Sequence, residues 1–281
     1  MTKIRRSLLF VPADRPERVA KAATLPTDVI VIELEDGVAP KNKDLARREA
    51  GRVISEIDFG HREVALRVNK LSTLCGLADI QAIAGWQRKP DLIMLPKVES
   101  CGEVRLYDEL LTEMKADSEL MLLVETSLGL QAAAEMVTAT PRVSAISFAI
   151  ADLPAELGCR PAWEPMFAIR AAIVTTAGLG SIMPIDPPYL NIKDEAGLKQ
   201  ECKRVRDMGY VGKICIHPSQ LEAVNQTFSP TLREIKRAQK IVEAVSSQGG
   251  GAVMVDGRMV DPPGVKIAQR VIETARRLGT D

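Results

Sequence analysis

Polar and charged residues stand in this sequence where apolar runs come to a stop. In chain order they are Glu35 and Asp36, Arg67 and Asn69, Lys97, Glu125, Asp152, Asp186 and His217. Glu125 closes the run "MLLVE" and Asp152 closes "VSAISFAIAD", with no histidine or cysteine near them. Two carboxylates alone suit a hard cation with oxygen ligands. Mg²⁺, which keeps water or substrate oxygens in its remaining octahedral positions, fits that donor set. Asp152 has a second reading as the N-cap of a helix beginning "LPAEL", where Pro154 suits a first turn. Arg67 offers a planar fork for a carboxylate or a developing oxyanion. Its structural alternative is a salt bridge to Glu35 or Asp36. His217, before a proline, is either a proton carrier or a buried, hydrogen-bonded side chain, the commoner case. His61 precedes a strand, at the wrong end for chemistry, and Trp86 and Trp163 read as packing residues.

These residues need a frame that brings strand ends together. Short runs dense in Val, Ile and Leu recur as "SLLFVP", "DVIVIELED", "EVALRVN", "DLIMLPK", "LMLLVET", "VSAISFAIAD", "SIMPID" and "GKICIHP". Each reads as a strand buried on both faces. Amphipathic stretches such as "NKDLARREAGRVISEI" and "EAGLKQECKRVRDMG" lie between them at helical spacing. Eight such units within about 220 residues predict a (β/α)8 TIM barrel, whose active site forms at the C-terminal ends of the strands. A doubly wound sheet is the alternative, but "FVPADRPERV" lacks the glycine-rich first turn that a dinucleotide fold needs. The α/β barrel is expected over residues 1–228. Residues 229–281 would form a C-terminal extension with a helix, a glycine-hinged lid in "GGGAVMVDGRMVDPPG" and a final helix. The apolar Val253, Met254, Val255, Met259 and Val260 are expected to need a surface outside that segment, such as a barrel mouth.

The totals narrow the function. The 281 residues carry 37 basic and 37 acidic side chains, so no global field favours nucleic acid or an anionic membrane. The five cysteines form no C-x-x-C and no zinc-like spacing, and their apolar neighbours suggest buried free thiols in a reducing compartment. The N-terminal stretch has too short an apolar run for a signal peptide, and no run reaches membrane-spanning length, so the cytoplasm is expected.

With these residues in place, the chain resembles the family of the citrate lyase beta subunit and the malyl-CoA and citramalyl-CoA lyases, in the HpcH/HpaI aldolase group. The similarity runs through "RRSLLFVPADRPERVAKA" (5–22), "DVIVIELEDGVAPKNKDLAR" (28–47), "LRVN" (66–69), "IMLPKVES" (93–100), "VETSLG" (124–129), "ADLPAELG" (151–158), "ICIHPSQL" (214–221) and "GRMVDPP" (257–263). The resemblance implies a modified, commonly homotrimeric TIM barrel that depends on Mg²⁺ and acts on CoA or acyl-carrier thioesters. It makes Glu125 and Asp152 the metal ligands and Arg67 the contact to the 2-keto acid. Asp261 becomes the aspartate that the C-terminal segment delivers to an active site, in several relatives that of a neighbouring subunit. Glu35 and Asp36 match an acidic pair beside the metal. Two departures sit where substrate selection could differ. Phe148, Ala149, Ile150 and Ala151 precede Asp152 where many members have an acidic residue and a glycine, and Lys70 replaces the frequent small residue or proline after Asn69.

The implied reaction is cleavage of a 3-hydroxyacyl-CoA of the malyl, citramalyl or citryl type into an acyl-CoA and a 2-keto acid. Arg67 would hold oxygens opposite the metal, and Asp261 would protonate the thioester enolate at carbon. CoA is expected over the rim near Arg5 and Arg6. One rival is a CoA-independent pyruvate aldolase, which would use a histidine near the second strand where this chain reads "ELEDGVAP". The other is a non-catalytic paralogue that binds CoA or a keto acid.

Overall fold

The computed structural model describes residues 3–247 and 252–281. Eight parallel strands close into a barrel in sequence order: β1 (Ser7–Pro12), β2 (Val29–Glu33), β3 (Glu63–Arg67), β4 (Leu92–Leu95), β5 (Glu119–Val124), β6 (Val143–Phe148), β7 (Met183–Asp186) and β8 (Gly212–Cys215). β8 returns to β1, pairing Lys213 with Ser7 and Cys215 with Leu9. The helices of the barrel are α1 (Pro16–Ala22), α2 (Lys43–Glu56), α3 (Leu74–Gly85), α4 (Cys101–Glu113), α5 (Ser127–Met136), α6 (Asp152–Leu157), α7 (Trp163–Gly180), α8 (Glu195–Met208) and α9 (Leu221–Phe228). Then come α10 (Leu232–Ser247), the hairpin β9 (Val253–Val255) and β10 (Arg258–Val260), and α11 (Pro262–Leu278). No described helix is long and apolar enough to cross a membrane.

Every expected strand is present, but most stop short of their apolar runs. β2 ends at Glu33, two residues before Glu35, and β6 ends at Phe148, four before Asp152. The polar groups at the mouth therefore stand on loops beyond the last ladder hydrogen bonds, where the backbone can turn a side chain inward. Inside the barrel, alternate residues fill the lumen: Leu8 and Phe10, Val29 and Val31, Ala65, Leu92 and Met94, Met121 and Leu123, Ala145, Met183 and Ile185, and Ile214. The same alternation sends Asp186 outward. It is fully buried against Arg170 of α7 at 2.9 Å and against Lys213 of β8, so it ties strands to helices and takes no part at the mouth.

The opposite end corrects the expectation for CoA. Arg5 precedes β1, which puts it at the N-terminal end of the strands, away from the mouth. It is 2% exposed and bonds Glu63 at 2.6 Å, Glu119 at 2.5 Å and Ser144 at 2.8 Å, near the starts of β3, β5 and β6. Arg6 pairs with Asp28 just before β2 at 2.7 Å. Both arginines tie the barrel floor rather than meeting a ligand. Arg5→Met would remove the buried guanidinium that joins Glu63, Glu119 and Ser144 and should destabilise the barrel by at least about 1 kcal/mol. Denaturant unfolding should show that loss.

By their contacts the residues form two compact units, Arg5–Asn225 and Gln226–Asp281, the latter with the chain start through Ile4. In the second unit the expected hairpin forms, but its apolar residues do not all need an outside surface. Val253, Val255 and Val260 are buried against Ala238 and Ile241 of α10 and Ala268 of α11. Only Met254 and Met259 stand exposed. Strand alternation explains the division: one face of a two-stranded ribbon covers the helix pair and the other faces out. Asp256 and Gly257 both have positive φ (49° and 75°), the two-residue hairpin turn that an Asp-Gly pair favours. The glycines at 249–251, expected as a hinge, lie outside the described residues.

All five cysteines are free; Cys202 and Cys215 are buried, whereas Cys75, Cys101 and Cys159 are only half-buried. Burial pushes the Cys202 thiol up to about 12, so it is chemically quiet at neutral pH.

Candidate active site

The mouth is organised by the loop after β2. Glu33, the last residue of that strand, continues the inward alternation of Val29 and Val31 and is 2% exposed. It stands in register with Arg67 on β3, and Arg67 Nε reaches its carboxylate at 2.5 Å. Burial raises the Glu33 pKa, and the charge of Arg67 opposes the rise. The chain then passes so close to Glu33 that a Cβ at Gly37 would lie 2.7 Å from the Glu33 side chain, so only glycine fits there without a shift. Glu35 follows. Its backbone N–H donates to Glu33, and its backbone carbonyl is held by Lys43, which also reaches the carbonyl of Leu34 and the side chain of Asn69 at 2.6–2.8 Å. Asn69 in turn donates to Leu34 O and to Asp79. These bonds fix the loop that presents Glu35 and Asp36.

Glu125 meets this loop from β5. Its neighbour Thr126, not Glu125, caps α5 by accepting from the N–H of Gly129. Glu125 is thus free of any helix-start duty. It is 1% exposed, and neither of its carboxylate oxygens has a hydrogen-bond partner among the described residues; the same holds for Glu35 Oε2. Carboxylate oxygens of Glu35, Asp36 and Glu125 lie within 4.8 Å of one another. Burial, then the charge of Glu35, pushes the Glu125 carboxyl up to about 7, while Lys97 and Arg67 pull the other way. A buried carboxylate that no hydrogen bond satisfies is costly in a protein. Lys97, 3.5 Å from Glu125 Oε2, offsets its charge without a hydrogen bond, and the oxygens left open suit a cationic ligand.

Two cations already border the cluster. Arg67 Nη1 lies 3.2 Å from Glu35 Oε2, and its guanidinium sits 5.2 Å over the Phe10 ring. Lys97, just beyond β4, bonds Glu35 and lies 3.3 Å from Asp36 and 3.5 Å from Glu125. Its φ of 49° is a left-handed conformation that a non-glycine residue adopts at some cost. Burial alone would lower the Lys97 pKa, but Glu35, Glu125 and Asp36 together raise it, so it is charged.

Asp152 is placed differently. It is the first residue of α6, exposed, with Ala151 rather than Asp152 at the N-cap, so the helix-cap reading of Asp152 is corrected. Its charge is near enough to raise the Glu125 pKa, but it stands outside the triplet of Glu35, Asp36 and Glu125. Asp261 is the N-cap of α11, exposed, and accepts from the N–H of Gly264 at 3.1 Å. Lys70, the departure after Asn69, pairs with Glu99 at 2.7 Å. His217 is exposed and caps a short 3-10 turn through Ser219 and Gln220, a structural role. His61 is exposed in the turn before β3.

Sequence reasoning missed Glu33 and gave Lys97 no role. The signal for Glu33 was available: positions 29, 31, 33 and 35 of "DVIVIELED" share one side of a strand, so an acid at 33 must enter the lumen if Val29 and Val31 do.

Buried oxygen donors with no soft ligand among the described residues fit a hard divalent cation: the two oxygens of Glu125, which no hydrogen bond claims, would anchor it, with Glu35 and Asp36 beside them. Residues 161–280 match a model of C–C bond lyases of the TIM-barrel fold. Over residues 6–218 the match is to HpcH/HpaI aldolase/citrate lyase, and the chain belongs to that family. A (3S)-malyl-CoA thioesterase of Cereibacter sphaeroides is 35% identical over 278 residues, covering 97% of this chain and 95% of that protein. The citrate lyase subunit beta of Leuconostoc mesenteroides subsp. cremoris is 30% identical over 285 residues, covering 97% and 94%. Among solved structures, the protein CitE of Mycobacterium tuberculosis in complex with magnesium, acetoacetate and coenzyme A superposes with a TM-score of 0.82. It is 32% identical and covers 98% of this chain and 100% of that one.

Proposed function

We propose that this protein is an Mg²⁺-dependent lyase that cleaves a 3-hydroxyacyl-CoA of the citramalyl, malyl or citryl type into an acyl-CoA and a 2-keto acid. The observation that carries the reading is the pair of buried oxygens on Glu125, neither of them hydrogen-bonded, beside Glu35 and Asp36. The magnesium, keto acid and coenzyme A bound by CitE support the ligand set. Glu125 and Asp152 would hold the metal, which when bound supplies Lewis acidity toward the hydroxyl and carboxylate of the hydroxy-acid end. Glu35 and Asp36 flank that place, and one of them would take the hydroxyl proton as the ketone forms. Arg67, fixed by Glu33 and Glu35, would aim its free N–H groups at the keto-acid oxygens. The electron pair of the breaking carbon–carbon bond passes to the thioester as an enolate. Asp261 would give that enolate its proton at carbon, leaving the acyl-CoA. A homotrimer in which α11 and its Asp261 serve a neighbouring barrel is part of the proposal.

The identity to a malyl-CoA thioesterase favours one second reading, hydrolysis of the same substrate class. The two separate by product. Purified protein with Mg²⁺ should convert at least one of malyl-, citramalyl- and citryl-CoA to an acyl-CoA plus a 2-keto acid, read by mass. Free CoA with an intact hydroxy acid would replace lysis with hydrolysis, and no turnover of any of the three would remove both readings. Asp261→Asn should remove most turnover yet leave keto-acid binding intact. Mixing inactive Asp261→Asn and Glu125→Gln chains should restore part of the activity. Verified subunit exchange without recovery would refute a site shared between chains.

A further inference from the structure

The C-terminal unit carries a basic groove that holds none of the residues given a role in bond cleavage. Arg233, Lys236, Arg237 and Lys240 line it from α10, and Arg258 and Asp256 line it from the hairpin; the cavity is about 630 Å³. The four helix positions follow i, i+3, i+4 and i+7, so they form one stripe of like charge. Like charges at this spacing disfavour the helix that holds them. Other exposed helices here avoid the problem: Arg52 pairs with Glu49 and Glu56, Lys199 with Glu195, and Arg277 with Glu273. In the groove, among the described residues, only Lys240 has an acidic partner, Asp256 at 3.1 Å. Five cations against one acid leave four positive charges on one small surface of a chain with no net charge.

The geometry narrows the ligand. Arg233 and Lys240 are seven residues apart, about 10 Å along a helix, longer than one phosphate. Among the described residues Leu232 is the single apolar residue of the lining and no aromatic ring faces it, so a base has nothing to stack on and recognition is by charge. Arginine forks and lysine point charges together suit phosphate oxygens. The Asp256–Gly257 turn leads directly into Arg258, which faces the groove opposite the α10 cations. We infer that this groove is a binding site for an oligophosphate anion, carried by the nucleotide end of CoA, by a free nucleotide or by an inorganic chain.

The test titrates the full chain, at physiological ionic strength and without added metal, with inorganic tripolyphosphate in a calorimeter. Saturable binding at one site per chain is expected. Arg233→Gln with Arg237→Gln should weaken it at least tenfold; glutamine keeps helix propensity at exposed positions, so the fold is not at stake. The same charge removed from α11, by Lys266→Gln with Arg270→Gln, should change affinity less than twofold. No saturable binding by the wild type, or equal losses in the two double variants, would overturn the site. Competition identifies the source of the phosphates. Displacement by ATP points to a free nucleotide, displacement by CoA alone to the substrate, and displacement by neither to an inorganic chain; each of the three retains the site.

Discussion

Glu125→Gln is expected to lower Mg²⁺-dependent turnover by about a thousandfold or more, the several kcal/mol that a metal supplies to a developing oxyanion. The same variant should make the metal-free barrel more stable at neutral pH. The carboxyl is held at about 7 in the fold against 4.5 when exposed, first by burial and then by Glu35. The unfolded chain therefore releases this proton at lower pH than the folded chain does. Stability of the metal-free wild type must fall as pH rises from about 4.5 to about 7, because a charged Glu125 is better solvated unfolded. The difference amounts to something on the order of 3 kcal/mol. Glutamine carries no charge and removes that slope. Denaturant unfolding in chelator at pH 5 and pH 8 measures it. An unchanged slope in the variant would mean that Glu125 is not the titrating group, and retained turnover would mean that the metal binds elsewhere.

Arg67→Lys should cost on the order of 2 kcal/mol or more in transition-state stabilisation, roughly thirtyfold in kcat/KM. Arg67 reaches Glu33 through Nε and Glu35 through Nη1, and its guanidinium carbon lies 5.2 Å from the centre of the Phe10 ring. A lysine keeps one charge but cannot bridge two carboxylates and still present a donor to the keto acid. The loss should fall on kcat as well as KM, since the contact strengthens as charge develops on the oxygen. A variant with near-normal turnover would restrict Arg67 to the salt bridge with Glu33 and Glu35.

Much of this arrangement was legible in the chain alone, for a physical reason. Parallel barrel strands are buried on both faces, so they read as dense apolar runs such as "MLLV", and whatever polar residue ends the run is at or near the mouth. Glu35, Arg67 and Glu125 followed from that rule. The same rule misled at Asp186, because a strand end has two faces and Asp186 takes the one toward α7. It passed over Glu33, which is still inside the strand. Counting alternate residues would have settled both. Arg5 escaped because charge near a terminus suggests an exposed anion contact, whereas a residue placed before the first strand belongs to the closed floor. The hairpin valines were judged without α11, which follows them in the chain and covers them.

The floor built on Arg5 bears on where the barrel can be cut. Exposed chain segments at the edge of a domain are usually expendable, but the residue just ahead of β1 joins Glu63, Glu119 and Ser144 through one guanidinium. Proteolysis on the N-terminal side of Arg5 would leave those bonds in place, whereas a cut between Arg5 and β1 would take the guanidinium away. The boundary between a tolerated clip and a destabilising one therefore falls at Arg5.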